Sequence, residues 1–188
     1  MNKISILLST YNGEKYLKEQ LNSIWSQSFN DFKVFVRDDG STDNTVTILK
    51  KYEKMYPNKI DILEDNRGNL RSSRSFMKLL ENSDNEYIMF ADQDDVWNTD
   101  KIEKSYRKMQ ELESIYGRDM PLLVHSNLTV VDEKLDIIAP SFWKYQNINP
   151  NKQKLSDFLV DNNVTGCTMM INRALAEKVK TIAMEAIM

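Results

Sequence analysis

Short apolar runs alternate with helical patterns along most of this chain, and this alternation is the feature that most constrains its fold. Between the runs, apolar residues recur at helical spacing, as at Leu17, Leu21 and Ile24. The apolar runs that are long enough for strands are residues 3–9, 32–37, 59–64, 86–91 and 121–126. Alternation of this kind predicts an α/β fold with a mostly parallel, doubly wound central sheet and helices on both faces. With 188 residues, the chain is predicted to form a single domain.

The later part of the chain departs from this alternation. Residues 128–138 read as two apolar segments around a polar turn, which predicts a hairpin and a small mixed sheet beside the first. Residues 140–154 are rich in Asn and Pro and are predicted to form a long loop. Residues 173–188 have a helical period, with Leu175, Val179, Ile182 and Ala186 on one face.

The strand predicted at residues 86–91 ends in three carboxylates within four positions: Asp92, Asp94 and Asp95. Carboxylates this close repel one another unless a proton, an arginine or a cation lies between them. Mg²⁺ or Mn²⁺, held by one or two carboxylates together with substrate phosphates, is a recurrent solution. Asp94 and Asp92 are therefore the candidate metal ligands. The alternative is a solvated turn that caps the next helix, because Asp is common in turns.

A second acidic loop follows the strand predicted at residues 32–37 and begins with Asp38 and Asp39. In an open α/β sheet, ligands bind outside the carboxyl ends of the strands, so both acidic loops can line one site. Helix capping explains the nearby Ser41 and Thr42 but gives no reason for the pair of aspartates. The two loops together indicate a ligand site rather than two unrelated turns.

Four motifs in this order resemble the family-2 inverting glycosyltransferases of GT-A, Rossmann-like fold. The motifs are residues 9–12 (Ser-Thr-Tyr-Asn), residues 38–43 (Asp-Asp-Gly-Ser-Thr-Asp), Asn66 and Gly68 with Arg74 downstream, and residues 92–97 (Asp-Gln-Asp-Asp-Val-Trp). The last motif, followed much later by residues 163–170, looks most like the bacterial rhamnosyltransferases of surface polysaccharide synthesis. The resemblance spans nearly the whole chain.

This resemblance implies transfer of a sugar from a nucleotide diphosphate donor, dTDP-rhamnose or a UDP-sugar, to a growing polysaccharide or lipid-linked glycan. The reaction would be a metal-assisted single displacement with inversion, with Mg²⁺ or Mn²⁺ as the cofactor. The implied nucleotide-sugar site consists of Ser9, Thr10, Tyr11, Glu14, Asp38, Asp39, Arg74, Asp92 and Gln93. The positions matching Ser9 and Tyr11 flank the base, and the one matching Asp39 accepts its imide N–H. A carboxylate can accept this bond from uracil or thymine but would face a lone pair on cytosine, which favours uridine or thymidine donors.

Several of these side chains also have ordinary structural interpretations. Tyr11 can be a core aromatic. Arg71, Arg74 and Lys78 share one helical face, which a solvated charged stripe would also explain. The resemblance favours a phosphate-binding role for Arg74, because a guanidinium can hold phosphate oxygens in a fork. Arg71 and Lys78 stay unassigned.

Three further ring-bearing residues have less specific interpretations. The single histidine, His125, is predicted to be structural, because a metal site would normally recruit further His or Cys ligands. Trp97 is predicted to pack in the core, although it can also stack on the donor sugar. Trp143 can form a lid or a hydrophobic anchor, and the sequence does not decide between them.

Composition excludes some classes of partner and location. A net charge of −3 and a pI near 5.3 give no basic face for nucleic acid. One cysteine cannot form an internal disulfide, and the N-terminus leads into a strand rather than a signal peptide, so a cytoplasmic location is predicted. No apolar run approaches the roughly 20 residues of a membrane span. A lipid-linked acceptor would bring the protein to the inner face of the membrane.

The displacement needs a general base on the acceptor side. In the family this base is an Asp in a short acidic motif just downstream of a helix such as the one after Arg173, and here no Asp follows Asp161. Asp157 and Asp161 precede that region and do not match. We therefore expect the base to lie beyond Met188, so that the chain is the donor-binding part of a longer enzyme, truncated at its C-terminus and inactive in transfer.

Two other functions are compatible with these motifs. A metal-dependent nucleotidyltransferase would also use a nucleotide-binding α/β sheet and paired carboxylates. It should, however, carry a Gly-rich first loop with Lys or Arg for a triphosphate, and residues 9–13 lack one. The other alternative is a nucleotide-sugar binding module without activity.

Overall fold

The computed structural model describes residues 3–65, 67–150 and 164–180. Its strands are β1 (Ile4–Thr10), β2 (Phe32–Asp38), β3 (Ile60–Ile62), β4 (Tyr87–Asp92), β5 (Leu123–Val124), β6 (Val130–Val131), β7 (Ile137–Ala139) and β8 (Met170–Asn172). Its α-helices are α1 (Leu17–Trp25), α2 (Thr45–Met55), α3 (Arg71–Glu81), α4 (Lys101–Tyr116), α5 (Phe142–Tyr145) and α6 (Arg173–Lys180), and a 3₁₀ helix spans Gly166–Thr168. The positions outside the described residues include Asn66, Asp157, Asp161, Asn163, Ile182 and Ala186.

The central sheet has six strands in the order β3-β2-β1-β4-β8-β5. Strands β3, β2, β1 and β4 are parallel, with Ile4 opposite both Phe32 and Tyr87. Strand β8 runs antiparallel to both of its neighbours. Strands β6 and β7 pair as a separate antiparallel hairpin. The prediction of a mostly parallel α/β sheet with a small hairpin sheet is confirmed.

Alternation along β1 creates a core on each face of the sheet. Ile4, Ile6 and Leu8 belong to a cluster that includes buried residues of α1, α2 and α4. Leu7 points to the other side, into a cluster that includes buried residues of α3 and α6. Since successive side chains of a strand point to opposite faces, these helices cover both faces of the sheet, as the sequence predicted.

Three details of the sheet differ from the sequence prediction. The third strand is Ile60–Ile62 instead of residues 59–64. The fifth strand is only Leu123–Val124 instead of residues 121–126, and β8 was not predicted. The side chain of Asn172 explains the short β5, because it bonds the chain that leads into that strand. Its Nδ2 donates to the carbonyl of Met120 (2.8 Å), and its Oδ1 accepts from the N–H of Leu122 (3.0 Å). These side-chain bonds act beside a backbone bond from the N–H of Asn172 to the carbonyl of Leu122 (3.2 Å).

The region predicted as one long loop contains a short helix, α5. Ser141 starts it by accepting a hydrogen bond at Oγ from the N–H of Lys144 (3.2 Å). The loop prediction was therefore wrong for Phe142–Tyr145, and residues 151–154 of that region lie outside the described part. In the parts of the chain that the structure describes, no helix has the length and apolar character needed to cross a membrane.

Candidate functional site

The carboxyl ends of β1, β2 and β4 carry polar residues and lie at one edge of the sheet. Thr10, at the end of β1, lies opposite Asp38 of β2, and Ser9 lies opposite Asp92 of β4. A cavity of about 680 Å³ opens at this edge. Its lining residues are Ser9, Thr10, Tyr11, Asp39, Asn69, Arg71, Ser72, Phe76, Asp92, Gln93 and Asp94. The structure thus brings most of the predicted site residues together, and we call this space the edge cavity.

The first loop of the edge cavity is fastened by Gln93. The N–H of Tyr11 donates to Gln93 Oε1 (2.8 Å), and Gln93 Nε2 donates to the Tyr11 carbonyl (3.0 Å). A Cβ on Gly13 would lie 2.3 Å from Gln93 Oε1, so the close approach requires glycine there. The side chain of Tyr11 is 49% exposed, which rules out the core-aromatic interpretation. Its ring is free to contact a ligand.

Asp39 is held in a buried network at the floor of the edge cavity. Arg37 is only 1% exposed and bonds Asp39 through Nη1 and Asp65 through Nε (2.9 Å). The N–H groups of Leu70 and Arg71 donate to Asp39 Oδ1 (2.6 Å) and Oδ2 (2.8 Å), respectively. Since a carboxylate offers about four acceptor positions, one position on Oδ2 remains for a ligand.

Asp38 and Glu14 build the loops around the cavity and do not line it. Asp38 accepts hydrogen bonds from Thr10 Oγ1 (2.9 Å), from Ser41 Oγ (2.6 Å) and from backbone N–H groups of its own turn. Glu14 accepts from the backbone N–H (2.9 Å) and Nδ2 (2.7 Å) of Asn44, just before α2. Their predicted contacts with a donor stay predictions, whereas their loop contacts are direct observations.

Among the basic residues of α3, Arg71 lines the edge cavity and Arg74 does not. Arg71 has a positive φ of 63°, uncommon for a residue other than glycine, and its N–H bond to Asp39 holds this conformation. Arg74 is exposed further along the helix, and its predicted phosphate contact stays a prediction. Lys78 pairs with Glu81 at 2.7 Å, so it belongs to the solvated face of the helix.

In the acidic loop after β4, burial and mutual repulsion disfavour the charged forms of the carboxylates. Burial, followed by the nearby carboxylates of Asp95 and Asp94, raises the pKa of Asp92 to about 6. Burial also raises the pKa of Asp95. Asp94 is exposed and lines the edge cavity. Carboxylates whose charged forms are disfavoured in this way gain when a cation lies among them.

The donor atoms at this loop fit a hard divalent cation. Oxygen atoms of Asp92 and Asp95 and the Sγ of Cys167 all lie within 4.8 Å of one another. Burial and the neighbouring Asp95 raise the pKa of the Cys167 thiol, and a thiol is a softer ligand than a carboxylate. The carboxylates are the candidate ligands, because oxygen ligands suit Mg²⁺ and Mn²⁺. The sequence prediction named Asp94 and Asp92 as metal ligands; this close group contains Asp92 and Asp95 but not Asp94, and the ligand assignment stays a prediction.

Lys101 connects the acidic loop with the 3₁₀ helix. Its Nζ donates to the Cys167 carbonyl (2.7 Å) and lies 4.4 Å from the ring centroid of Trp97. Burial lowers the pKa of Lys101, whereas Asp95 and Asp92 favour its charged form. Trp97 is 4% exposed and belongs to the core, as predicted.

His125 and Trp143 lie away from the edge cavity and contact each other. Their rings meet edge to face, with centroids 5.8 Å apart. Burial lowers the pKa of His125, and its Nδ1 is buried with no hydrogen-bond partner among the described residues. These contacts agree with a structural histidine, and they show Trp143 as its packing partner.

Sequence reasoning missed Arg37, Lys101 and the backbone role of Arg71. A signal for Arg37 existed, because an arginine inside an apolar strand needs buried acidic partners and Asp39 follows two residues later. Lys101 gave no such signal, because its partner is a carbonyl 66 residues away. The lining residues Asn69, Ser72 and Phe76 also carried no local pattern.

Comparisons with known proteins identify the family of this chain. The model of the family described as "Glycosyl transferase family 2" matches residues 5–180. The dTDP-rhamnosyl transferase RfbG of Shigella flexneri is 31% identical over 169 residues, which is 88% of this chain and 54% of that protein. The putative teichuronic acid biosynthesis glycosyltransferase TuaG of Bacillus subtilis is 30% identical over 173 residues, 90% of this chain and 62% of that protein. The chain therefore spans little more than half the length of these relatives.

Solved structures show the same fold. The crystal structure of S. aureus TarS 1–349 in complex with UDP-GlcNAc has a TM-score of 0.53 and 31% identity, covering 58% of this chain and 31% of that one. The mannosyltransferase PcManGT from Pyrobaculum calidifontis, in complex with GDP-Man and Mn²⁺, has a TM-score of 0.64 and covers 95% of this chain and 46% of that one. Because its sequence identity is only 16%, this second structure supports the fold assignment and nothing further. With a family match over nearly its whole length and the GT-A fold expected from its motifs, this chain belongs to glycosyl transferase family 2.

Proposed function

We propose that this chain forms the donor-binding part of an enzyme that transfers a sugar from a uridine or thymidine diphosphate to a bacterial surface polysaccharide. The observation that carries the proposal is the edge cavity, where the Tyr11 loop, Asp39 and the acidic loop meet. The relatives support it, because RfbG is named a dTDP-rhamnosyl transferase and TuaG a teichuronic acid glycosyltransferase. The more specific proposal is that the transferred sugar is rhamnose.

Asp39 and Tyr11 would bind the base. The free acceptor position on Asp39 Oδ2 suits the N3–H of uracil or thymine, and the exposed Tyr11 ring offers a stacking surface. Because Arg37 and two backbone N–H groups already fix the Asp39 carboxylate, it needs no reorganisation when a nucleotide binds. A rigid acceptor of this kind improves both affinity and selectivity.

The diphosphate would lie between Arg71 and the acidic loop. Asp92 and Asp94, with Asp95 beside them, would hold Mg²⁺ or Mn²⁺, which as a Lewis acid stabilises the charge that develops on the leaving diphosphate. Arg71, which also lines the edge cavity, supplies a further positive charge. The proposal includes a single displacement with inversion, and it assigns no described residue as the general base.

The test is a transfer assay with product analysis. The full-length enzyme that contains this chain is incubated with Mn²⁺, a rhamnose-containing oligosaccharide, and either dTDP-rhamnose or UDP-GlcNAc, and the released nucleotide and the extended glycan are quantified. We expect release of a nucleoside diphosphate together with glycan extension, and loss of both in Asp92→Asn. Formation of pyrophosphate from a nucleoside triphosphate and a sugar phosphate would instead identify a nucleotidyltransferase and contradict the proposal.

A further inference from the structure

A second, smaller cavity of about 210 Å³ adjoins the edge cavity. We call it the hairpin cavity; its lining residues are Tyr16, Glu19, Asp94, Asp95, Val96, Val131, Asp132, Glu133 and Leu135. We infer that the hairpin cavity binds the acceptor and accepts an uncharged sugar unit in preference to an anionic one. This inference rests on the proposed function and adds the class of acceptor to it.

Its position follows from what a transferase must do. A single displacement requires the acceptor hydroxyl to lie within reach of the donor sugar, so the two binding spaces must adjoin. Asp94 lines both the edge cavity and the hairpin cavity. A sugar in the hairpin cavity would therefore lie beside the acidic loop, next to the donor site.

The lining has the two components that an uncharged sugar needs. Tyr16 and the exposed side chains of Val96 (47%), Val131 (38%) and Leu135 (45%) offer apolar surface for the C–H faces of a sugar ring. The carboxylates of Glu19 and its neighbours offer hydrogen-bond acceptors for hydroxyl groups. An apolar wall with a few placed polar groups is the usual composition of a small-molecule site.

The charge of the lining disfavours anionic units. Five of the nine lining residues are acidic, and Lys15, whose Nζ lies 2.5 Å from Glu133, is the cation paired with them at the hairpin. Because the proposed cation would offset Asp94 and Asp95, and Lys15 offsets Glu133, a uronic acid or a phosphate placed here would face the remaining carboxylates of Glu19 and Asp132. Like charges placed side by side cost affinity. Uncharged hexoses and deoxyhexoses carry no such penalty.

The backbone conformation of Leu135 also supports a role for its side chain in ligand binding. It has a positive φ of 67°, which glycine or asparagine adopts more readily, yet it carries a large apolar side chain at an exposed turn. Asp132 fixes this turn by accepting hydrogen bonds at Oδ1 from the N–H groups of Lys134 (2.8 Å) and Asp136 (3.0 Å). Strained residues of this kind cluster at functional sites.

The test compares two sugars that differ at C6, where a hydroxymethyl group is replaced by a carboxylate. Saturation-transfer NMR is recorded on the protein with UDP and Mn²⁺, using methyl glucoside and methyl glucuronide as probes. Leu135→Gly relieves the positive φ while removing the apolar wall, and Glu19→Lys reverses one charge of the lining. Glu53→Lys, an exposed position of α2 outside both cavities, is the matched control for the charge change.

We expect methyl glucoside to bind and methyl glucuronide to bind roughly tenfold more weakly. Leu135→Gly should weaken glucoside binding while its melting temperature stays equal or rises. Glu19→Lys should reduce the difference in affinity between the two probes, and Glu53→Lys should leave this difference unchanged. Equal binding of both probes to the wild type, or glucoside binding unchanged in Leu135→Gly, would overturn the inference. Failure of UDP itself to bind would count against the proposed function instead.

Discussion

At the scale of single residues, one carboxylate serves both the fold and the ligand. Asp39 neutralises the buried Arg37 and accepts hydrogen bonds from two backbone N–H groups. In the proposed function it also accepts a hydrogen bond from the base. We therefore expect the wild type to prefer UDP over CDP by about 1.5 to 3 kcal/mol, the value of a hydrogen bond to a charged group. Competition calorimetry with the two nucleotides measures this preference, and equal affinities would remove the role of Asp39 in base recognition.

Replacing Asp39 tests both roles at once. Asp39→Ala should reduce UDP affinity, and it should also lower the free energy of unfolding by about 1 to 3 kcal/mol, because donors that Asp39 satisfied are left unpaired. Arg37 keeps its bonds to Asp65, which limits the loss. Urea unfolding measures the second effect, and a variant as stable as the wild type would contradict the buried network.

Gln93 gives a sharper test of the loop contact. In Gln93→Glu, a carboxylate oxygen would replace the amide N–H group that donates to the Tyr11 carbonyl, so the first loop should lose its fixed position. We expect roughly tenfold weaker UDP binding, since one bond of about 1.4 kcal/mol is lost. Gln110→Glu, an exposed position on α4, is the control. If both variants bind UDP as the wild type does, the Gln93 contact has no role in nucleotide binding.

At the scale of elements, the sequence predicts what is periodic and misses what depends on distant partners. Strands β1, β2 and β4 were predicted to within one residue at each end, because long apolar runs end in polar loops there. Strand β8 has three residues and exists because β4 and β5 pair with it on both sides. The same distinction holds at the site. The acidic loops could be read from local motifs, whereas the place of Arg71 depends on the start of α3 meeting Asp39.

The contact between His125, after β5, and Trp143 of α5 gives a pH dependence. Burial lowers the pKa of folded His125 below its unfolded value of about 6.5, so the neutral form is favoured in the fold. The stability from this preference is present above about pH 6.5 and is lost as the pH falls below it. We expect the stability difference between wild type and His125→Gln, measured by urea unfolding, to shrink from pH 8 to pH 5.5.

His125 is the single histidine of the chain, which simplifies this measurement. Asp92 also titrates near this range and changes stability in the opposite direction, because its folded pKa is raised to about 6. Subtracting the His125→Gln curve from the wild-type curve removes the Asp92 contribution. A difference that stays constant with pH would show that His125 titrates as it does in the unfolded chain.

At the scale of the whole molecule, the order of the strands assembles the site. Strands β2, β1 and β4 are neighbours in the sheet, so loops more than fifty residues apart in the chain surround one cavity. Carboxyl ends of parallel strands form such crevices in open α/β sheets. The central claim is therefore that a nucleoside diphosphate and a divalent cation bind together at this edge.

Calorimetric titration of UDP in the presence and absence of Mn²⁺ tests this claim most directly. We predict that Mn²⁺ strengthens UDP binding in the wild type and in the control Asp119→Asn, an exposed position far from the acidic loop in sequence. The gain should disappear in Asp92→Asn and Asp94→Asn and should be reduced in Asp95→Asn. UDP binding that does not depend on Mn²⁺, or a gain that persists in all three loop variants, would contradict the account.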